Sequence, residues 1–439
     1  GTTTRVRQLF AALAALGITV GAAASPASGG YRSSTTRVGP GVKFTRIRDP
    51  KGPWRIKIVT VNLARPSTID VALANDKLPG FERTSAMANR HGAIAAVNGD
   101  YARPSGRPVF AFMEDGLLAQ TPLKFGRNFA VNSSETVGYM GHADVSAWLY
   151  ESDSGIQYEV ARLNQGPPAY DELALFTPHG ASEEQPPYFA CSARLYAIEP
   201  VHFSSSGSGV EATHQVDRVR CSDRRLGRKG GVVISAPIGG AHDPAIRTLL
   251  PGEQVVVGWS FGWFEIKDAL GGNPTLIENG QIIERNVTGS ERFFRRHPRT
   301  GVGLHPDGRV LMVTVDGRQD RSVGMTLQEF ADLFSSLGAT WALNLDGGGG
   351  TTMVVNGGVR NRPSDGSERA VSSALLVLPG SDTGESAAAE SPAPGPDPEL
   401  TWEAVVGDPA STGGLASVLT AQGARSPWLR DAARAFRER

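Results

Sequence analysis

The sequence is poor in cysteine and carries no excess of charge of either sign. Its 439 residues include 44 Lys and Arg, 44 Asp and Glu, and only 2 cysteines. Because the net charge is +0, no global field draws the chain to nucleic acid or to an anionic membrane surface. Any anion must therefore be bound by a local cluster. Cys191 and Cys221 lack the CxxC spacing or nearby His pair of a zinc site.

Several familiar catalytic patterns are also missing. The chain contains no HExxH, GxSxG or EF-hand pattern, and no GK[ST] follows its glycine run, which argues against the enzyme and binding classes that depend on them. Beyond the N-terminal stretch, no segment is long and apolar enough for a membrane span. We therefore expect no nucleic-acid partner and no membrane span in the mature protein.

The N-terminal stretch has the order of a secretory signal peptide. Arg5 and Arg7 precede the apolar run LFAALAALGITVGAAA, and small residues follow it. This pattern predicts a signal peptide over residues 1–29 and a secreted or cell-envelope protein. In an exported chain, an isolated cysteine pair favours one disulfide, Cys191–Cys221, with two buried free thiols as the alternative.

The chain as a whole is rich in turn residues, with 53 Gly and 29 Pro, which is typical of many short strands. Apolar and polar residues alternate in segments such as WRIKIVTVNL. We predict an α+β fold whose strand-rich mixed sheet core has few helices. The predicted boundaries are a flexible lead-in (30–53), a single catalytic domain (54–379) with a β-rich insertion (150–230), a disordered linker (380–399) and a tail (400–439) that could form one short helix.

One helix is marked especially well. Thr326 and Glu329 form a capping-box pattern, and Gly338 is a natural helix end. Between them, apolar residues recur at helical spacing: Leu327, Phe330, Ala331, Phe334 and Leu337.

Three polar turns each follow an apolar strand, as expected for a site on a rigid scaffold. They are Asn98-Gly99-Asp100-Tyr101, Asp316-Gly317-Arg318 and Asn344-Leu345-Asp346-Gly347-Gly348. Alternation places the Asn344 and Asp346 side chains on one face. An NG or DG pair alone is more often a hairpin turn. Four consecutive glycines after Asp346, however, indicate backbone N–H groups open to an anion.

Together, several stretches resemble the phosphodiester glycosidase family. They are, in order, AAVNGDY, DALGGNPTLIENG, HPRTGVGLHPDGRVLMVTVDGR, GMTLQEFADLFSSLGATWALNLDGGGGTTMVVNG and RPSDGSERAVSSALLV. The family usually has Ser where this chain has Gly350, so a donor is missing or Thr351 replaces it. The resemblance implies hydrolysis of the bond between a sugar's anomeric carbon and a phosphodiester. Because phosphate is a good leaving group, the reaction needs a carboxylate more than a strong general acid.

The resemblance and the residue chemistry together give the candidate site. We expect Asp346 and Asp316 to be the principal catalytic carboxylates, with Glu368 as a third. Guanidinium groups suit bidentate phosphate binding, so Arg299, Arg318 and Arg369 are expected to contact phosphate. The expected contacts to the rest of the substrate come from Asn98, Asp100, Asn344, Gly347, Gly348, Thr351 and Thr352.

Other functions stay open at this point. The chain could be a glycosidase or lyase acting on cell-wall or exopolysaccharide, or a non-catalytic glycan-binding protein of the envelope. Its partner would be a carbohydrate phosphodiester or a glycan in each case. No cofactor is expected, although clustered acidic residues could hold a structural Ca²⁺.

Overall fold

The computed structural model describes residues 30–124, 126–178, 185–283 and 291–380. The predicted signal peptide, the linker beyond residue 380 and the tail lie outside the described residues. Within the described ranges, no helix combines the length and apolar composition needed to cross a bilayer.

Strands dominate the described chain. The first fifteen are β1 (Arg32–Gly39), β2 (Val42–Asp49), β3 (Trp54–Asn62), β4 (Thr68–Leu73), β5 (Glu82–Arg83), β6 (Ala95–Asn98), β7 (Phe112–Glu114), β8 (Leu117–Gln120), β9 (Arg127–Asn132), β10 (Gly138–Gly141), β11 (Ser146–Glu151), β12 (Ile156–Glu159), β13 (Arg162–Leu163), β14 (Ala174–Phe176) and β15 (Ala190–Ala197). The rest are β16 (His202–Phe203), β17 (Gly209–Ser222), β18 (Val232–Pro237), β19 (Gln254–Ser260), β20 (Ile266–Gly272), β21 (Thr275–Glu278), β22 (Gln281–Ile282), β23 (Arg299–Leu304), β24 (Arg309–Val315), β25 (Trp341–Asn344), β26 (Met353–Val355), β27 (Gly358–Val359), β28 (Ala370–Val371) and β29 (Ser373–Leu378).

Helices are few among the described residues. They are α1 (Thr84–Arg90), α2 (Asp243–Thr248), α3 (Glu291–Phe294) and α4 (Leu327–Ser336). The capping box predicted for α4 is confirmed, because Thr326 Oγ1 accepts from the Glu329 N–H at 3.1 Å and Glu329 Oε2 accepts from the Thr326 N–H at 2.9 Å. Gly338, with φ of 78°, follows the helix end as expected.

The strands form four larger sheets and one two-stranded ribbon. The largest have the orders β1-β2-β3-β24-β23-β25-β21-β22 and β12-β11-β19-β17-β15-β18-β14-β13, with β16 added beside β17. Two five-stranded sheets have the orders β10-β9-β20-β7-β8 and β27-β26-β6-β29-β4, and β28 pairs with β5. Only β13 and β14 are parallel among these described pairings. The strand-rich core with few helices is therefore confirmed, and the fold is mostly β.

Alternation along the strands divides the apolar residues between two sides of the eight-stranded sheet. Val59 and Val61 of β3 join the main core with residues of both five-stranded sheets. On the other face, Ile56 and Ile58 pack with Phe330 and other residues of the α4 region. The central strands of the eight-stranded sheet are thus buried on both faces, which makes their ends a rigid base for side chains.

The predicted flexible lead-in is wrong for most of its length. Strands β1 and β2 form a hairpin over Arg32–Asp49, and β2 pairs with β3 from Val42 to Asp49. In β2, Val42 and Phe44 are buried in the main core and Ile47 is buried on the opposite face of the sheet, so this strand is an integral part of the sheet. The exposed Ser, Thr and Arg residues of β1 conceal this in the sequence.

The predicted β-rich insertion forms most of the nine-stranded sheet. That sheet also includes β11, β18 and β19, and its own core packs against the sheet containing β20. A disulfide joins Cys191 of β15 to Cys221 of β17, which are directly opposite each other. The predicted cysteine pairing is therefore confirmed.

Candidate active site

The predicted polar turns lie together at one end of the central strands of the eight-stranded sheet. Strand β23 lies between β24 and β25, antiparallel to both, and pairs Arg299 with Val315 and Gly301 with Asn344. Consequently the start of β23 and the ends of β24 and β25 lie together. Arg299, Asp316 and Asp346 stand at or directly after these strand ends.

Asn98 connects the end of strand β6 to these strand ends through hydrogen bonds. Its Nδ2 donates to the main-chain oxygen of Asp346 at 2.6 Å, and its Oδ1 accepts from Thr300 Oγ1 at 2.8 Å and Thr352 N at 3.0 Å. Asn98 is fully buried. Its amide is therefore occupied in positioning the main chain beside Asp346, which differs from the sugar contact expected of it.

Asp346 is the carboxylate that remains available. It is half-buried, and burial raises its pKa to about 6, against the opposing effects of the Arg369 charge and the Gly347 N–H. Its Oδ2 lies 2.5 Å from where a Cβ on Gly350 would be. The glycine found at 350, in place of the family's usual serine, therefore leaves room for this carboxylate.

Tyr101 also belongs to the site, although it was not among the expected substrate-binding residues. Its hydroxyl donates to the main-chain oxygen of Asn273 at 2.7 Å and accepts from Asn344 Nδ2 at 2.7 Å. Burial and the nearby negative charge of Asp346 raise the pKa of Tyr101, with Arg299 opposing them. The signal was its place in the same turn as Asn98 and Asp100.

Buried polar atoms without a partner collect around Asp346. Within the part of the chain that the structure describes, they include Asp100 Oδ1, Asn344 Oδ1, Thr351 Oγ1 and Thr352 Oγ1. Leaving such an atom unsatisfied costs about 1–3 kcal/mol, so a cluster of them indicates a functional site or ordered water. Burial, and then the charge of Asp346, raise the pKa of Asp100 well above its usual range, against several main-chain N–H groups.

Arg299 is largely committed to the protein. It is buried, its Nε donates to Met325 O at 2.9 Å, and its Nη2 donates to Phe293 O at 2.9 Å and Arg295 O at 3.0 Å. Burial and the Arg318 charge lower its pKa to about 10. Among the described residues, acceptors are found for the Nε and Nη2 hydrogens but not for those of Nη1, so Arg299 offers less to a phosphate than expected.

Arg318 and Arg369 lie against the glycine run. Arg318 is exposed, and its Nη2 lies 3.0 Å from a Cβ position on Gly348. The guanidinium of Arg369 lies beside Gly349 and pairs with Asp365, whose Oδ2 accepts from Arg369 Nε at 3.1 Å. Any side chain on these glycines would displace the two arginines.

The glycine run does not present the open row of N–H groups that was expected. Gly348 N donates to Pro298 O at 2.9 Å, Gly350 N to Gly347 O at 3.1 Å, and Thr351 N to Gly348 O at 3.3 Å. The Gly347 N–H lies where it lowers the pKa of the Asp346 carboxyl. The run forms a short 3-10 turn over Gly348–Gly350. Several of its N–H groups therefore already donate to main-chain oxygens of the protein.

Two of the three expected carboxylates have structural contacts instead. Asp316 is buried, forms an ion pair with Lys57, and accepts from the Arg362 N–H at 3.0 Å. Glu368 accepts from Ser85 N at 2.8 Å and from the Ser85 hydroxyl, in the first turn of α1. These oxygens satisfy donors that the fold buries or leaves at a helix start, so the catalytic roles expected of Asp316 and Glu368 stay predictions that these contacts do not favour.

Thr351 and Thr352 are also placed differently from the expectation. Both are buried, and the main-chain oxygen of Thr351 accepts from Asn361 Nδ2 at 2.8 Å. The hydroxyl oxygens of both residues are therefore buried rather than exposed on an open surface.

One group of converging metal-ligand atoms is found among the described residues. It consists of Cys191, Cys221 and Asp243. Because the two sulfurs are joined in a disulfide, the group offers no thiolate ligands.

Residues 225–378 match a family model described as phosphodiester glycosidase. The SPbeta prophage-derived protein YomE of Bacillus subtilis is 44% identical over 126 residues, which are 28% of this chain and 18% of that protein. The N-acetylglucosamine-1-phosphodiester alpha-N-acetylglucosaminidase of Mus musculus is 31% identical over 156 residues, which are 33% of this chain and 29% of that enzyme. The chain thus spans less than a third of the length of these relatives.

Solved structures share the fold over a longer stretch. A hypothetical protein from Synechocystis has a TM-score of 0.59 and 21% identity, covering 79% of this chain and 68% of that chain. A protein from Burkholderia pseudomallei has a TM-score of 0.58 and 18% identity, covering 80% of this chain and 96% of that chain.

Proposed function

Since the chain is related to the phosphodiester glycosidase family through residues 225–378, we propose that it is a hydrolase of sugar-1-phosphodiesters. Its reaction separates the anomeric carbon of a sugar from the oxygen of a phosphodiester. The observation that carries the proposal is the half-buried Asp346 carboxylate, with a pKa of about 6, at a glycine run flanked by Arg318 and Arg369.

The chemistry needs one carboxylate and a positive site for the leaving group. The bond between the anomeric carbon and oxygen breaks, and the oxygen leaves with the electron pair as part of a phosphate monoester. A water oxygen bonds to the anomeric carbon, and Asp346 takes the proton of that water. Arg318 and Arg369 stabilise the negative charge on the departing phosphate.

The residues around Asp346 act as positioning groups in this proposal. Asn98 holds the Asp346 main chain, and Asn344 holds the Tyr101 hydroxyl. Burial raises the pKa of Asp100, which favours its neutral form and so limits the negative charge placed beside Asp346.

The test is release of reducing sugar from N-acetylglucosamine-1-phosphodiester and from a panel of other sugar-1-phosphodiesters. Asp346→Asn should lower turnover at least about a hundredfold while the melting curve stays cooperative. Asp332→Asn is the matched control, because Asp332 is exposed on α4 and should leave turnover unchanged. Near-normal turnover by Asp346→Asn would remove the carboxylate from the mechanism. Absence of release by the wild type would favour a polysaccharide substrate or a glycan-binding role.

We also propose that the protein acts outside the cytoplasm. The leader pattern at residues 1–29 and the Cys191–Cys221 disulfide support export. Under reducing conditions that open the disulfide, the nine-stranded sheet should lose thermal stability. An unchanged melting temperature after confirmed reduction would show that the bond is not needed for stability.

A further inference from the structure

Three arginines lie in a row across the first three strands of the eight-stranded sheet. Strands β1 and β2 pair Arg32 with Arg48, and β2 and β3 pair Arg48 with Arg55. Directly opposite residues of antiparallel strands point to the same face, and like charges placed in this way destabilise the sheet. The arrangement therefore costs stability unless an anion lies between the guanidinium groups.

A fourth arginine, Arg321, is fixed next to this row. The Arg55 N–H donates to Ser322 Oγ at 2.9 Å, and the Val323 N–H donates to Pro53 O at 3.1 Å. These bonds, made by the two residues that follow Arg321, attach its loop to the start of β3. The fold thus fixes the main-chain positions of the four arginines before any ligand arrives, which lowers the entropic cost of binding.

The four side chains line a cleft of about 350 Å³ that also includes Asp49. Four positive charges therefore face one negative charge, and Asp49 Oδ1 already accepts from the Lys51 N–H at 2.9 Å. Across the described residues, none of these four arginines forms an ion pair with a carboxylate. Burial, followed by the charges of Arg48 and Arg321, lowers the pKa of Arg55. We call these four residues the arginine cleft.

The arginine cleft lies at the same end of the strands of the eight-stranded sheet as Asp346. The Asp316 N–H donates to Arg55 O at 3.0 Å, directly after β24, and the order β3-β24-β23-β25 leads from there to Asp346. Three strand spacings of about 4.8 Å put β3 roughly 15 Å from β25, and the cleft extends from β3 across β2 to β1. A single sugar phosphodiester does not span that distance, whereas a chain of phosphate-linked sugars does.

We propose that the arginine cleft binds a phosphate group of an anionic, phosphate-linked glycan whose neighbouring phosphodiester lies at Asp346. The substrate assignment rests on the proposed function, but the anion site itself does not. Guanidinium groups bind phosphate oxygens in pairs through a planar fork, and a preformed cleft with unpaired arginines provides several such forks. The cleft thus selects polymeric substrates over single sugar phosphodiesters.

Calorimetric titration with tripolyphosphate tests the anion site. The double variant Arg48→Gln/Arg321→Gln should bind at least tenfold more weakly than the wild type. Lys43→Gln is the matched control, because Lys43 is exposed on the same strand about 16 Å from Arg48, and its affinity should stay within twofold. Absence of wild-type binding, equal affinity in the double variant, or loss of binding in Asp346→Asn would each overturn the proposal. Removing a like charge should also leave the double variant melting at or above the wild-type temperature.

A turnover measurement tests the polymer assignment separately. The double variant should lose about tenfold in kcat/KM on a polymer of sugars joined by phosphodiesters, with no change on a substrate that has one phosphodiester. Equal losses on both substrates would overturn the polymer subsite. Failure of the wild type to cleave either substrate would overturn the proposed function, while the titration would still judge the anion site alone.

Discussion

Replacing Asp346 by Asn should remove activity and at the same time stabilise the fold at neutral pH. The carboxylate has a pKa of about 6 in the fold, compared with 3.8 for an ordinary Asp. Because the folded pKa is raised, the folded state holds the proton more tightly than the unfolded state. The stability that this proton provides is fully present below pH 3.8 and is lost as pH rises to about 6.

The magnitude follows from the size of the shift. About two pKa units at roughly 1.4 kcal/mol each give an upper bound of about 3 kcal/mol, which partial exposure of Asp346 reduces. Asn removes the charge but keeps an oxygen that can accept from the Gly347 N–H. The variant is therefore expected to have a higher free energy of unfolding than the wild type at pH 7.5, and this difference should vanish near pH 4.

Thermal unfolding of the wild type and Asp346→Asn at both pH values measures this difference. A melting temperature higher by a few degrees at pH 7.5, with curves that coincide near pH 4, is the expected result. If the variant melts at a lower temperature than the wild type at pH 7.5, or if its melting temperature rises equally at both pH values, then burial does not raise the pKa of this carboxylate. Asp332→Asn should leave both melting temperatures unchanged.

Three other predictions concern the same region. Turnover should rise with pH through about 6 as Asp346 loses its proton. Arg369→Gln should move this rise to higher pH, because the Arg369 charge lowers the pKa of Asp346. An unchanged pH profile would show that Arg369 does not act on the carboxylate. Lys57→Met leaves the buried Asp316 without its ion-pair partner and should cost about 3–5 kcal/mol in unfolding free energy, so an unchanged urea midpoint would contradict a buried pair. We propose that no Ca²⁺ is needed, so a chelator should alter neither turnover nor melting temperature, and loss of either would establish a metal requirement.

The local patterns of the sequence determined several elements of this protein. Helix α4 could be predicted because its capping box and apolar face lie within one short segment. The polar turns after β6, β24 and β25 were found for a similar reason, since alternation marks where a buried strand ends. The glycine run after Asp346 was also visible as a sequence feature.

The partners of individual side chains were decided only by the tertiary structure. Asp316 and Asp346 look alike in sequence, but Lys57, 259 positions away, pairs with Asp316 and leaves Asp346 as the available carboxylate. Glu368 is occupied by Ser85, 283 positions away. Such contacts depend on which strands become neighbours, and no local pattern records that choice.

Strand register decided the arginine cleft in the same way. Arg32, Arg48 and Arg55 are spaced irregularly along the chain, and they form a row only because β1, β2 and β3 pair in one register. A shift of one residue would turn a strand's side chains to the opposite face. The sequence by itself therefore determined which segments become strands and where polar turns end them, whereas side-by-side pairing of distant strands decided which charges meet.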